Sequence, residues 1–486
     1  MAPTTNLQRQ ETSLEDIIDS CLADSTTDRY ESGLRQLVKW IHVTGATDLL
    51  KDNGSIYLRF FQYHHFVQFI VWVYQNTPVK VGTISGYRAA LRWYYKREDV
   101  PMPTEYESKL KTIFTGMQRL TATDAQSSSV KDSGKRRLGF SMYESLCSKS
   151  LAAVDSGFVH LFLVISWNLM ARSKSTETIQ LDHISFEEDA VGITYCKSKT
   201  DQAGTKRRDP RHVYANPSSP AVCAFLAFGN YFACNPTLTS GALFPGARQR
   251  DRFGKALKTL VLSVFGDNAE GAVGTHSIRK GAATFVCSGS TSGPSVISVC
   301  LRCGWSLGNV VERYMHYEKA GDQFVGRVVA GLPLNSAGYA QLPPHFISTD
   351  DAIVASAVRC MFPGLSKSIA IFGVLKLSLA SLLVWGGRLH KLPETFVFPS
   401  VDTATAWALW WLGKDNEVPY KTIDPDDLAT KKQKRILSEW RYIMNNLWQF
   451  YVTENRTTEP TESTEEAIVE AFECAVHALD PVAICS

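Results

Sequence analysis

Apolar residues recur at helical spacing through the first part of the chain, which predicts an N-terminal block made of helices. In the segment that begins at Thr27, one helix face collects Tyr30, Leu34, Leu37, Val38 and Ile41. Two further apolar runs of the same kind begin at Phe61 and Val81. We therefore predict an all-α domain over residues 12–120.

From residue 138 onward, helical and strand patterns are mixed. The apolar run that starts at Phe158 predicts a buried helix. The segments 191–200 and 211–217 are rich in β-branched and aromatic residues and flank a charged loop, so they predict two strands of a hairpin. The pattern indicates a mixed α+β domain over residues 138–333, mainly helical with a small antiparallel sheet.

Two changes in composition divide the chain further. Residues 121–137 are polar, rich in serine and end in a basic cluster, which predicts a linker. Residues 334–486 predict a mostly helical C-terminal extension with an acidic tail. Within it, the apolar run 368–387 is long enough to span a bilayer, but Lys376 lies near its centre. We expect a buried helix or helix pair and no membrane association.

Overall composition narrows the class of protein only slightly. Of the 486 residues, 44% are hydrophobic and 20% are charged, as in an ordinary folded protein. The net charge of +3 does not by itself indicate a nucleic-acid partner, so local clustering has to decide. The 11 cysteines are odd in number and scattered, which favours a reducing, intracellular setting. The N-terminal segment has no apolar core of the kind that a signal peptide needs.

Basic residues cluster in two places. A stripe on the helix that starts at Val81 consists of Arg88, Arg92 and Lys96. The charged loop of the hairpin carries Lys197, Lys199, Lys206, Arg207, Arg208 and Arg211. Either cluster could be an ordinary solvated face, or it could contact a phosphate backbone. A hairpin has a shape that can enter or straddle a DNA groove.

Four features of the middle block could carry chemistry. They are Arg172 at the end of an apolar helix, Lys199 in Ser-Lys-Thr, His276 with Arg279 in a His-x-x-Arg motif, and Trp305 followed nine residues later by Tyr314. Each has an ordinary alternative: a structural salt bridge for the arginine, a surface position for the lysine, a chance match for the motif, and a core position for the tyrosine. His276 and Arg279 share a helix face because they are three residues apart.

The order and spacing of these residues resemble the tyrosine recombinase family of phage integrases and related enzymes. The resemblance covers residues 12–333 and is most specific over 172–317. The phrases LMARSKST, KSKTDQAG, DPRHVYANP and GWSLGNVVERY look most like recombinases of crypton-type eukaryotic mobile elements.

The resemblance implies a role for each matching residue. Arg172 and Arg279 match the catalytic arginines, and His276 and Trp305 match the other two groups that hold the phosphate. Lys199 matches the lysine of the hairpin, and Tyr314 matches the nucleophile. One position departs from the family pattern: an acidic residue is usual three positions after the first arginine, where this chain has Ser175, with Glu177 two residues further on.

The implied reaction is cleavage and rejoining of double-stranded DNA through a 3′-phosphotyrosine, with no metal and no cofactor. Two arginines would clamp the non-bridging oxygens of the transition state. The family also implies four protomers on two DNA sites, acting on the ends of a mobile element and its target, and a nuclear location. Two alternatives stay open: a type IB topoisomerase, and a domesticated DNA-binding protein without catalytic activity.

Two residue assignments have competitors. Tyr317 lies close to Tyr314 in sequence, and Lys197 lies close to Lys199. The pair Cys300 and Cys303 has a spacing found in zinc sites, but no second pair with suitable spacing follows it. We therefore expect structural cysteines and no metal site there.

Overall fold

A computed structural model describes the protein over residues 13, 21–127, 136–151, 153, 155–195, 209–266, 273–305, 307–308, 315–346 and 352–389. The chain divides into two compact units, Met1–Ser133 and Gly134–Ser486. This division lies inside the segment 121–137. The last helix of the first unit continues to Ser127, so the beginning of the predicted linker is helical.

The described part of the first unit is helical, in agreement with the prediction. Its helices are α1 (Asp24–Thr44), α2 (Tyr63–Asn76), α3 (Val81–Arg97), α4 (Glu105–Ser108) and α5 (Leu110–Ser127). Leu37 and Ile41 of the predicted apolar face of α1 are fully buried in its core. Helices α1 and α3 approach closely at Gly33, where a larger residue would meet Ala90.

The second unit is mainly helical with a small antiparallel sheet, which confirms the predicted class of fold. Its helices are α6 (Phe140–Leu151), α7 (Phe158–Asn168), α8 (Ser173–Glu177), α9 (Ala224–Cys234), α10 (Gln249–Phe265), α11 (Thr275–Ser288), α12 (Val296–Cys303), α13 (Lys319–Val329), α14 (Ala352–Met361) and α15 (Ile369–Leu389). Its strands are β1 (Ile184–Glu187), β2 (Ala190–Ile193) and β3 (Arg211–Tyr214).

The three strands are ordered β1-β2-β3, and both pairs are antiparallel. The predicted hairpin corresponds to β2 and β3, in which Ala190 pairs with Tyr214 and Ile193 pairs with Arg211. Strand β2 ends at Ile193 and is therefore shorter than the predicted segment 191–200. Strand β1 was not predicted. The loop residues 196–208 lie outside the described residues.

Helix α7 lies at the centre of the second unit, and every residue from Phe158 to Asn168 is buried. Near its C-terminal end, the indole of Trp167 stacks on Tyr143 with ring centroids 4.1 Å apart. The same indole donates a hydrogen bond to the carbonyl of Val329, at a distance of 2.9 Å. These contacts hold the end of α7, where the chain turns toward Arg172.

Helix α15 contains the long apolar run of the predicted C-terminal extension. It packs on α9, where Gly229 leaves room for Leu382, and on β1, where Gly373 leaves room for Phe186. Its buried residues belong to the same hydrophobic core as α7 and α9. The predicted buried helix is confirmed, and the described part of the extension shares the core of the middle block. In the described ranges, no helix is both long and apolar enough to cross a membrane.

Candidate functional site

One face of α11 forms the floor of an open pocket of about 790 Å³. The residues that α11 contributes recur at intervals of three and four, which places them on a single helix face. They are His276, Arg279, Lys280, Ala283, Thr284, Cys287 and Ser288. The first turn is fixed by the amide of Gly274, which donates to the hydroxyl of Ser277 over 3.0 Å.

Arg172 reaches the pocket from the turn that follows α7. The turn passes through Met170, whose φ of 48° is in the left-handed region. Arg172 itself is extended, and its carbonyl oxygen accepts hydrogen bonds from the amides of Ser175 and Thr176 in the first turn of α8. Among the described residues, its guanidinium has no hydrogen bond and no ion pair. The structural salt bridge considered as the alternative for Arg172 is therefore not formed within this part of the chain.

Trp305 follows a tight helix end. Helix α12 stops at Gly304, which has a φ of 62° that favours glycine. The amide of Gly304 donates to Leu301 and the amide of Trp305 donates to Cys300, the latter over 2.9 Å. This turn brings the indole to the pocket, where it is 40% exposed.

Arg279 links these elements. Its side chain is 8% exposed, and Nη2 donates to the carbonyl oxygen of Cys303 over 2.6 Å. Its Cζ lies 5.5 Å from the centre of the Trp305 ring, a distance suited to a cation–π contact. Burial lowers the pKa of Arg279 below its ordinary value, and the positive charge of Arg172 acts in the same direction. An arginine stays protonated in proteins, so the two charges favour a bound anion.

Among the described residues that line the pocket, several are basic and none is acidic. The basic residues are Arg137, Arg172, His276, Arg279 and Lys280. The sequence reasoning missed Arg137 and Lys280. Lys280 could have been found from its spacing, because it lies four residues after His276 on the same helix. Arg137 belongs to the basic end of the predicted linker, and only the tertiary structure brings it to α11.

Ser175 has no carboxylate, and the carboxylate of Glu177 is not part of this pocket. Glu177 accepts a hydrogen bond from the amide of Arg250 over 2.9 Å, so it caps the first turn of α10. The departure from the family pattern at Ser175 is therefore not compensated by Glu177.

A buried ion pair in the second unit was not predicted. Nη1 of Arg302 lies 2.7 Å from Oδ1 of Asp322, and both side chains are almost completely buried. Nη2 of Arg302 also donates to the carbonyls of His212 and Asn168, at 2.8 and 3.0 Å. Oδ2 of Asp322 accepts from the amide of His212 over 2.8 Å and lies 3.0 Å from its Nδ1. We call these residues the Arg302 network.

The Arg302 network joins three segments that lead to the candidate site. Asn168 precedes Arg172 by four residues, Arg302 precedes Trp305 by three, and His212 lies on strand β3 of the hairpin. Burial by itself would raise the pKa of Asp322, but the charge of Arg302 and the hydrogen bonds from His212 lower it to about 2. The carboxylate is therefore ionised near neutral pH and holds the three segments together.

Six predicted site residues lie outside the described residues. They are Lys197, Lys199, Lys206, Arg207, Arg208 and Tyr314. Arg211, at the base of the hairpin, is described: it donates to the carbonyls of Asp209 and Arg302 at 3.0 and 3.4 Å, and its Cζ lies 5.5 Å from the Tyr195 ring centre. Arg211 thus has protein partners for part of its guanidinium, and its predicted DNA contact stays a prediction.

Tyr317 and Cys303 have structural contacts. The hydroxyl of Tyr317 donates to the carbonyl of Pro210 over 2.8 Å, and burial raises its pKa. Sγ of Cys303 lies 3.5 Å from Sδ of Met170, and burial raises its pKa to about 11. Within the described ranges, no group of three metal-ligating side chains is formed, with Cys300 or elsewhere.

The basic stripe of the first unit has contacts of its own. The guanidinium of Arg88 lies over the ring of Phe114, 5.7 Å from its centre, and that of Arg92 lies 3.3 Å from the carboxylate of Glu107. Lys96 is exposed. Two of the three side chains therefore have the contacts expected of a solvated helix face, and a role in binding DNA is still a prediction.

Comparisons with known proteins leave the family open. No family model matches the chain, and no curated protein matches it. Among solved structures, the chain is similar to the XerH site-specific recombinase bound to its difH substrate in a pre-cleavage complex, with a TM-score of 0.36 and 14% identity. The match covers 55% of this chain and 70% of that one. A TM-score this low does not assign a function to the chain, which has to be inferred from the residues of the pocket.

Proposed function

We propose that this chain is a tyrosine recombinase that cleaves and rejoins double-stranded DNA. The observation that carries the proposal is the convergence of Arg172, His276, Arg279 and Trp305 on one pocket, whose described lining contains no acidic side chain. These residues lie on three separate elements, so their meeting is a property of the fold. Their identities and order also match the family pattern in the sequence.

The pocket has the donors that a phosphodiester under attack requires. In the transition state, negative charge builds up on the two non-bridging oxygens of the phosphorus. The guanidinium groups of Arg172 and Arg279 can hold these oxygens, and His276 and the indole N–H of Trp305 can donate further hydrogen bonds. Removing one such preorganised donor typically costs about 3–4 kcal/mol of transition-state stabilisation.

Tyr314 is the proposed nucleophile. Its hydroxyl gives up its proton to water, its oxygen attacks the phosphorus, the bond from phosphorus to the 5′ oxygen breaks, and the 3′ end of the strand stays linked to the tyrosine. Lys199 is proposed to give a proton to the leaving 5′ oxygen. A 5′ hydroxyl from a second strand then reverses the step, which releases Tyr314. The energy of the broken bond is kept in the phosphotyrosine, so strand joining needs no further energy source.

Several finer assignments belong to the same proposal. The subfamily is that of crypton-type mobile elements, and the enzyme acts in the nucleus as a tetramer on paired sites, exchanging strands through a four-way junction. The hairpin residues Lys197, Lys206, Arg207, Arg208 and Arg211, with the stripe of the first unit, are proposed to contact the DNA backbone. These assignments depend on the sequence phrases and on the charge of the two segments.

Covalent capture tests the proposal. The full chain is incubated with duplexes that carry a nick, drawn from the DNA that flanks its gene and from a randomised pool. A nick beside the cleaved phosphate lets the short 5′ product diffuse away and traps the covalent complex. We expect the wild type to form an adduct that survives denaturing electrophoresis, and Tyr314→Phe to form none.

Tyr317→Phe is the matched control. It removes a nearby tyrosine hydroxyl that is bound to the carbonyl of Pro210, and we expect it to retain the adduct. The proposal is wrong if the wild type forms no adduct with any duplex, or if Tyr314→Phe forms as much as the wild type. Loss of the adduct in Tyr317→Phe alone would move the nucleophile to Tyr317.

A further inference from the structure

The pocket is larger than a single phosphate needs. Its volume of about 790 Å³ is within the range of about 300–1,000 Å³ that is typical of pockets for whole small molecules. Arg172, His276, Arg279 and Trp305 account for only part of its lining. Along α11 the lining continues to Ser288, and the 12 residues from His276 correspond to about 18 Å of helix.

The two sides of the pocket floor differ. At about 100° per residue, Arg279 is on one edge of the α11 face, and Lys280, Thr284 and Ser288 are toward the opposite edge. Trp305 lies on the same side as Arg279, because the guanidinium of Arg279 lies over its ring. Lys280 therefore lies on the side of the floor away from Arg279 and Trp305, with His276 between the two sides.

The end of the predicted linker is attached to the side of Lys280. Leu138 is fully buried, and its amide donates to the carbonyl of Ser277 over 3.1 Å. Gly281 lies so close to the carbonyl of Leu138 that even a methyl group would collide with it. Arg137 immediately precedes Leu138, so these contacts hold it at the rim of the pocket, where it is exposed.

We propose that Arg137 and Lys280 form a second phosphate subsite, which binds a phosphate next to the cleaved one on the same DNA strand. This inference rests on the proposed function. A DNA strand carries one negative charge per about 3.4 Å of helix axis, so a strand that lies along α11 brings neighbouring phosphates within the length of the pocket. The hydroxyl of Thr284 donates its hydrogen to the carbonyl of Lys280 over 2.8 Å, so it does not donate to a phosphate. The donors of the proposed subsite are the side chains of Arg137 and Lys280.

The salt dependence of binding gives the first test. Affinity of the full chain for a labelled duplex of mixed sequence is measured over a series of salt concentrations. Loss of one phosphate contact lowers the magnitude of the slope of log affinity against log salt by about 0.9, so Arg137→Ala with Lys280→Ala, which removes the one proposed subsite, should lower it by about 0.9. Lys255→Ala, on the exposed surface of α10 away from the pocket, removes one positive charge and should leave the slope unchanged. An unchanged slope in the double variant overturns the subsite.

A charge-neutral phosphate gives the second test. In a duplex that the wild type cleaves, a methylphosphonate replaces the phosphate on either side of the cleaved one. At one of these positions, wild-type affinity should fall by about the same factor as Arg137→Ala with Lys280→Ala causes on natural DNA, and the double variant should then lose nothing more. Equal losses in the double variant on all duplexes would contradict the subsite. If no duplex gives an adduct, the proposed function fails, and the salt slopes still decide whether the two cations bind phosphate.

Discussion

Two buried arginines of the second unit are bound in opposite ways. Arg302 is 4% exposed and has a carboxylate partner, Asp322, with further bonds to backbone carbonyls. Arg279 is 8% exposed, and within the described residues its guanidinium has one hydrogen bond, to the carbonyl of Cys303, and the face of Trp305. Arg302 is enclosed by protein, whereas Arg279 faces an open pocket.

The difference separates a structural arginine from one that is available to a ligand. A buried charge is tolerated when it is paired and its hydrogen bonds are made, as they are for Arg302. Among the described residues Arg279 has donors left over, and the charge that acts on it within the pocket is that of another arginine, Arg172. An anion would satisfy both. The comparison therefore predicts that changes at Arg302 act on stability and changes at Arg279 act on chemistry.

The largest effect is expected from Arg302→Ala. The substitution leaves the buried carboxylate of Asp322 without its partner and should reduce the free energy of unfolding by about 3–5 kcal/mol. Chemical denaturation followed by circular dichroism measures it. Arg302→Met combined with Asp322→Leu removes both charges and should be closer to the wild type than either single change. Equal stability of Arg302→Ala and the wild type would contradict the structural role.

Arg279→Ala should show the opposite behaviour. Loss of one transition-state donor should slow adduct formation by about 10²–10³-fold. The stability should change by only about 1 kcal/mol, because a single hydrogen bond to Cys303 is lost and no carboxylate is left unpaired. Quench-flow or manual time courses of adduct formation, with denaturation curves alongside, measure both. A variant that is strongly destabilised but reacts at the normal rate would reverse the comparison.

Acid should weaken the Arg302 network in a defined direction. Because the pKa of Asp322 is lowered from 3.8 to about 2 in the folded protein, its ionised form contributes stability above the ordinary pKa. This contribution, about 2 kcal/mol, is lost as the pH falls from about 4 to about 2. Denaturation midpoints of the wild type and Asp322→Asn over this range test it. The difference between the two proteins should shrink as the pH falls, and a constant difference would argue against the assignment.

The smallest effect is expected at Gly281, where Leu138 is attached to α11. Gly281→Ala should destabilise the protein by about 1–3 kcal/mol, because the methyl group collides with the carbonyl of Leu138. Gly254→Ala in α10 is the matched control, since nothing lies within 4 Å of the added carbon. It should stabilise the helix by up to about 1 kcal/mol. If both substitutions changed the free energy of unfolding in the same direction, the close approach at Gly281 would not be rigid.

Local features of the fold could be predicted from the sequence because they depend on short-range periodicity. The apolar face of α1, the buried helix α7 and the hairpin of β2 and β3 all follow from spacing within a few residues. The packing of the C-terminal extension is different, because α15 shares the core of the second unit. Its packing depends on small residues in other elements, such as Gly229 of α9, which an apolar run does not reveal.

Within the candidate site, the sequence by itself determined that His276, Arg279 and Lys280 lie on one face of α11, because helix geometry fixes the direction of residues three and four apart. The chain order of Arg172, the His-x-x-Arg motif and Trp305 was also visible. Only the tertiary structure decided that Arg172 meets this face from 104 residues earlier in the chain, and that Arg137 joins it from the linker.

The tertiary structure also decided which polar groups are committed elsewhere. Glu177 caps α10. Arg302 precedes Trp305 by only three residues, yet it pairs with Asp322. The sequence contains no sign of these partners, because a charged side chain has many possible partners until packing excludes all but one. The polar side chains that are available to a ligand can be identified only when the partners of the other polar side chains in the folded protein are known.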